Sequence, residues 1–125
     1  MSGDDASLSA ERLCVALRSS PDFAHHSRRA SLRVALAGFA GDPVISIHDG
    51  DPRPAASGEQ ADIVIRGDGP GWARLVDPDA VSPTLVRLFR EGALEIDGDP
   101  WLVMHVWQTL FWMIETVREH ETTGA

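Results

Sequence analysis

The sequence predicts a small α+β domain, and three observations carry that reading. Four short strand-like runs, the clearest alternating apolar and polar residues with period two, lie at residues 31–37, 44–48, 61–66 and 93–97. The elements are ordered helix, two strands, strand, two short helices, strand and long helix. That segregated order favours an α+β layer over a doubly wound sheet. The last segment, residues 100–119, is apolar around most of its circumference.

Leu8, Leu13, Val15, Ala16 and Leu17 form the first helical segment, with Ser7 or Ser9 available as its cap and Pro21 just beyond its end. Residues 1–6 and 121–125 read as flexible ends of a single domain covering 1–125, and 21–27 as a connection. Leu32, Val34 and Leu36 alternate with Arg33 and Ala35, as in a half-buried strand. Gly38 and Gly41-Asp42-Pro43 end that run, and 44–48 follows as a strand able to pair with it in a hairpin. Asp49-Gly50-Asp51-Pro52 signals a turn, and 53–60 reads as a surface loop.

Ile63 and Ile65 mark the next strand, which Gly67-Asp68-Gly69-Pro70 breaks. Trp72, Leu75 and Val76 form the apolar side of a short helix that Pro70 helps to start. Ser82 and Pro83 are the cap and first residue of another, with Leu85, Leu88 and Phe89 as its buried stripe and Gly92 as its C-cap. Leu94 and Ile96 belong to the last strand, closed by Gly98. Packing one helix face onto a sheet needs an apolar stripe of only about 100°. The 100–119 helix exceeds this, so its surplus must meet a partner subunit, an apolar molecule or solvent.

Composition excludes several function classes. At 125 residues with 43% hydrophobic residues, one core is affordable and two are not. A net charge of −8 is poor material for nucleic-acid binding or for adsorption to anionic membranes. The local exception, Arg28, Arg29 and Arg33, is offset by Asp22 and the flanking segments. Cys14 is the single cysteine, so no intramolecular disulfide can form. The acidic start Met-Ser-Gly-Asp-Asp is unlike a signal peptide, and no apolar run reaches 18 residues. A cytoplasmic location without integral membrane association is expected.

Catalytic and metal chemistry find no foothold. His25, His26, His48, His105 and His120 lack zinc-site spacing. Cys14 falls on the inner side of the first helix, and no nucleophile motif is present. Asp49, Asp51, Asp62 and Asp68 lack calcium-loop spacing, and Asp49 and Asp51 flank a glycine in a turn that backbone geometry explains by itself. His105, set in the most apolar helix, faces either solvent or a cavity. Of the four tryptophans, Trp107 is a core candidate, whereas Trp101 and Trp112 could line a cavity wall or an interface.

The segments Val44-Ile-Ser-Ile-His-Asp-Gly50, Ala61-Asp-Ile-Val-Ile65 and Gly92-Ala-Leu-Glu-Ile-Asp-Gly-Asp99, the last leading into a long apolar helix, together resemble the sterol carrier protein 2 (SCP2) family. The resemblance covers about residues 32–117. It implies a small, mostly antiparallel sheet with helices on one face and a hydrophobic tunnel closed by the last helices. The implied activity is non-catalytic carriage of a sterol, fatty acid or acyl group, with no cofactor or metal. Leu94, Ile96, Val103, Val106, Leu110, Phe111 and Ile114 are the expected ligand-binding residues, and periodicity independently marks the last helix as surplus apolar surface. The competing reading is an interaction module that uses the same surface for homodimerisation or for docking on an enzyme partner. An enzyme acting on an acyl or ketosteroid substrate is a third reading, disfavoured by the missing catalytic groups.

Overall fold

The computed structural model describes residues 2–39, 42–56, 60–76 and 85–122. Among these residues, six helices and five strands follow in the order α1 (Ser2–Arg18), α2 (Pro21–Ser27), β1 (Leu32–Ala37), β2 (Val44–His48), β3 (Asp51–Pro54), β4 (Ile63–Gly67), α3 (Gly69–Val76), α4 (Leu85–Arg90), β5 (Leu94–Gly98), α5 (Pro100–His105) and α6 (Trp107–Thr122). The strands form one sheet ordered β3-β2-β1-β4-β5, antiparallel except where β1 runs parallel to β4.

The period-two pattern fixes the face of this sheet. Leu32, Val34 and Leu36 pair in register with Ile47, Ile45, Ile63 and Ile65, and all of these are buried. Their strand neighbours Arg33, Ser46 and Arg66 point the other way. A slip of one residue would turn the whole apolar set to solvent, so burial itself enforces the register. Leu110, Met113, Ile114 and Val117 of α6 complete the core together with Leu13 and Leu17 of α1 and Phe23 of α2.

The expected strands and their alternation are present, and four other elements differ from expectation. First, α1 begins at Ser2 and so takes in most of the stretch expected to be loose. Second, residues 21–27 form a helix instead of a connection. The Ser20 side chain accepts the Phe23 N–H at 3.2 Å, and Pro21 occupies the first turn, where its missing donor costs nothing.

Third, the turn is shorter than expected and Asp51 to Pro54 is a strand. Asp49 (φ 48°) and Gly50 (φ 84°) alone make the turn, and both left-handed residues match the twist of a two-residue hairpin. The prolines are tolerated because of their phase. Ala55 donates its N–H to Val44 O at 2.9 Å, so the residues two and four before it face β2. Pro52 and Pro54 therefore stand where an N–H would point away from the sheet.

Fourth, the long apolar helix is two helices. Val106, with φ −106° and ψ 19°, interrupts it. The Val106 N–H still reaches Leu102 O, and Leu110 N–H reaches Val106 O, so the break bends the rod without severing it. The Asp99 carboxylate caps α5 by accepting the Trp101 N–H at 2.9 Å. The Ser82-Pro83 cap expected for α4 lies outside the described residues, as do residues 123–125 of the C-terminal end, whereas α6 itself continues to Thr122.

Two local features carry testable consequences. Trp72 donates its indole N–H to Ala37 O at 2.9 Å, where β1 ends against α3. Gly38 (φ 84°) lies there with Gly67 O only 1.7 Å from where a Cβ would stand. Gly38→Ala should therefore lower stability by more than about 2 kcal/mol, combining backbone strain with a backbone clash. Gly69→Ala, with open space around it, should change stability by less than about 1 kcal/mol. Urea unfolding of the two variants separates these outcomes.

Burial pushes the Cys14 thiol up from 9.0 to about 11, with nearby Arg18 opposing the shift only in part. The folded chain keeps this proton where the unfolded chain releases it, so the associated stability is present below pH 9.0 and is lost as pH rises toward about 11. Iodoacetamide should label Cys14 at pH 8 on the order of a hundredfold more slowly in the native protein than in urea, and equal rates would show that α1 is not docked.

Candidate functional site

Three concave regions bear on function, and the first is apolar. Strand β5 is an edge strand, and its Ile96 pairs with Ile65 on the helix-covered face. Ile65 is fully buried but Ile96 is only half covered, because the helix layer stops short of the edge. Phe89 of α4, Pro100, Val103 and Met104 of α5, and Trp107 of α6 surround it in an open groove of about 450 Å³. Among the described residues, no charged side chain lines that groove.

The groove arises from the bend at Val106. Had the helix continued straight from α6, its apolar flank would be one continuous surface. Instead α5 contributes no fully buried residue of its own. Trp101 is 79% exposed and Met104 71% exposed, and Phe89 stands 46% exposed across the groove. These are three of the five large apolar side chains exposed among the described residues, and exposed apolar surface of this kind marks binding surfaces.

Two of the seven expected ligand-binding residues, Ile96 and Val103, line the groove. Leu94, Leu110 and Ile114 are instead fully buried core residues, and Val106 is buried at the helix break. Phe111 is half-buried and meets Trp112 edge-on at 5.2 Å. Among the described residues, then, the seven do not line one cavity: two face the open groove, and Leu94, Val106, Leu110 and Ile114 belong to the packed core. Phe89, Met104 and Trp107 join the site from outside the expected set. Phe89 belongs by sequence to the buried stripe of α4, but Leu85 and Leu88 alone fill that stripe. Of the two candidate wall tryptophans, Trp101 stands exposed on α5. Trp112 lies on the α2 side, its ring stacked on His26 at 6.0 Å and 10°, and its buried indole N–H finds no acceptor among the described residues.

The second region, about 530 Å³, lies between α3 and β5, and its charged lining residues Arg66, Asp68, Arg74 and Glu95 balance in sign. Arg66 pairs with Asp97, and Arg74 and Arg87 both pair with Glu91. Hydrogen bonds from Arg74 and Arg87 hold the Glu91 carboxyl below its ordinary range. These pairs are exposed, so they decorate the surface and contribute little to stability. The third region is a basic cleft of about 290 Å³ at the end of α2, lined by His25, His26, Arg28, Arg29, His105 and Thr109. His105 therefore faces a solvent-open cleft, on a side of the helix break that shares no lining residue with the apolar groove. Among the described residues, no three His, Cys, Asp or Glu side chains converge as metal ligands would, and no helix is long and apolar enough to cross a membrane.

No protein-family model matches the sequence, and no curated protein matches it significantly. Similarity to solved structures is extensive. A crystal structure of sterol carrier protein 2 aligns over 88% of this chain and 93% of its own, with 18% identity and a TM-score of 0.65. A conserved hypothetical protein from Thermus thermophilus aligns over 88% of this chain and 84% of its own, with 19% identity and a TM-score of 0.60. The UbiJ-SCP2 ubiquinone synthesis protein aligns over 88% and 92%, with 22% identity and a TM-score of 0.55. The near-complete coverage at these TM-scores shows that this protein has the fold of the SCP2 domains.

Proposed function

We propose that this protein is a non-catalytic, cytoplasmic carrier for an apolar ligand, a sterol, fatty acid or acyl group, held against the groove between β5 and α5. The observation that carries the proposal is the groove itself: an uncharged concavity around half-covered Ile96 in a chain of net charge −8. Burying apolar ligand surface there is favourable by roughly 25 cal/mol per Å², which supplies affinity without sharp selectivity. Its volume of about 450 Å³ lies within the range of small-molecule pockets. The structural likeness to a sterol carrier supports the same class of ligand. Capture and release require only movement of α5, the helix with no fully buried residue. The chemistry needs no cofactor or metal, because no bond is made or broken.

A second reading draws on the openness of the groove and the exposure of Trp101 and Met104. The same patch would then seat a second copy of the chain or an enzyme partner, with the groove filled by the partner's side chains.

Native mass spectrometry of the purified protein, with solvent extraction of any bound molecule, separates the two. A carrier yields a stoichiometric apolar molecule of discrete mass. A ligand-free dimer that also refuses added sterols and fatty acids would sink the carrier reading. Val103→Glu should reduce uptake of a fluorescent fatty acid at least tenfold, because it places a charge in the groove wall. Leu110→Ala should instead cost about 2–5 kcal/mol of stability, as a truncation in the closed core does. Binding and urea titrations of both variants check this division.

A further inference from the structure

All eleven Lys-or-Arg positions in this acidic chain are arginines. Arg18 and Arg53 sit on Asp51, Arg66 on Asp97, Arg74 and Arg87 on Glu91, and Arg118 on Glu115. Arg28 and Arg29, like Arg12 and Arg90, meet no carboxylate among the described residues, but these two are gathered in one cleft. They lie at the end of α2 and line the basic cleft with His25, His26, His105 and Thr109. No acidic side chain among the described residues lines it. Asp22, the acid nearest in sequence, faces a different cleft beside Trp112 and Glu115.

The frame of this cleft is fixed from behind. Ser27, fully buried, donates its hydroxyl to Thr109 Oγ1 at 3.0 Å, tying α2 to α6. Ala30 N–H reaches Ser27 O at 2.8 Å, and Gly50 N–H reaches Ala30 O at 3.0 Å. The hairpin tip abuts the arginine backbone so closely that a Cβ on Gly50 would lie 2.7 Å from Arg28 Cα. His26 is held by its stack on Trp112 and meets His25 edge-on at 5.0 Å. Five basic side chains from two separate parts of the chain are thus gathered over a braced backbone.

We propose that this cleft binds a phosphate-bearing anion. Guanidinium groups present a planar fork that matches two phosphate oxygens at once, and imidazole N–H groups add further donors. A phosphate monoester or diphosphate has enough oxygens and charge to engage both arginines together, whereas a single carboxylate would leave most donors unused. A cation is disfavoured by the arginines themselves. The site shares no lining residue with the apolar groove and stands independently of the carrier proposal. Because the basic side chains are exposed, binding weakens as salt screens them.

The test uses the full chain and two probes, inorganic pyrophosphate in solution and phosphatidylcholine vesicles with or without phosphatidic acid. Calorimetry at low salt is expected to show pyrophosphate binding that Arg28→Gln/Arg29→Gln weakens at least tenfold. Arg74→Gln/Arg87→Gln, with the same loss of charge elsewhere, should leave it within twofold. Pyrophosphate binding assigns the site to soluble phosphate esters. Arginine-dependent cosedimentation with phosphatidic acid vesicles alone assigns it to a lipid headgroup, and either result supports the proposal. Failure of both probes to bind, or equal loss in the two variants, overturns it. Amide chemical-shift mapping on the unmodified protein guards against misfolding of a variant: shifts confined to residues 25–30 and 105–109 support the site, and shifts elsewhere refute it.

Discussion

Burial of Leu110, Met113, Ile114 and Val117 is the constraint around which this fold is arranged, because these four side chains of α6 close the helix layer over the apolar side of the sheet. Helices α1, α2, α3 and α4 all touch α6. The sheet supplies the opposing surface only in one register, since its apolar residues recur every second position. Ser27 and Thr109 add a buried hydroxyl pair that fixes where α2 meets α6, a polar contact that would be costly to leave unmade in a dry layer.

The same constraint explains why α5 departs. Once α6 has filled the centre of the layer, a straight continuation would carry Trp101, Leu102 and Met104 past the edge of the sheet. The bend at Val106 brings Val103 and Trp107 over Ile96 and leaves Met104 and Trp101 outward. One irregular residue therefore separates two surfaces of opposite character, apolar beside β5 and basic beside α2. The surplus hydrophobicity of the C-terminal segment is not uniformly distributed in space: most of it is core, and a minority is concentrated at one edge.

Legibility from sequence follows the same division. Strands whose alternation was clear, such as Leu32-Val34-Leu36 and Ile63-Ile65, are where the pattern placed them, because half-burial writes itself into period two. The SCP2-like fold was legible from the order and spacing of the segments 44–50, 61–65 and 92–99 ahead of the long apolar helix. Helix α2 was missed although Ser20-Pro21 has the same cap grammar as Ser82-Pro83; its seven residues are too few to show a period. Strand β3 was missed because two prolines in four residues argue against a strand unless its edge position is known. The site was only partly legible. In a segment apolar on nearly every side, periodicity does not tell which flank meets the core, so Leu110 and Ile114 were grouped with Val103. Phe89, Met104 and Trp107 depend on the bend at Val106 and on the edge position of β5, neither of which is a local property of the chain.

The phase of Pro52 and Pro54 has a consequence for how molecules of this protein can meet. Edge strands present free N–H groups on which another chain can build, a route to aggregation. In β3 the outward positions are both proline, so that margin of the sheet offers no donors, and the Pro52 carbonyl already accepts from the Arg18 guanidinium at 2.6 Å. An incoming strand would lose the ladder it needs. Contact between molecules is thereby steered away from strand addition at β3, leaving the opposite margin at β5 and the side-chain surfaces as the means by which this domain meets others in a crowded solution.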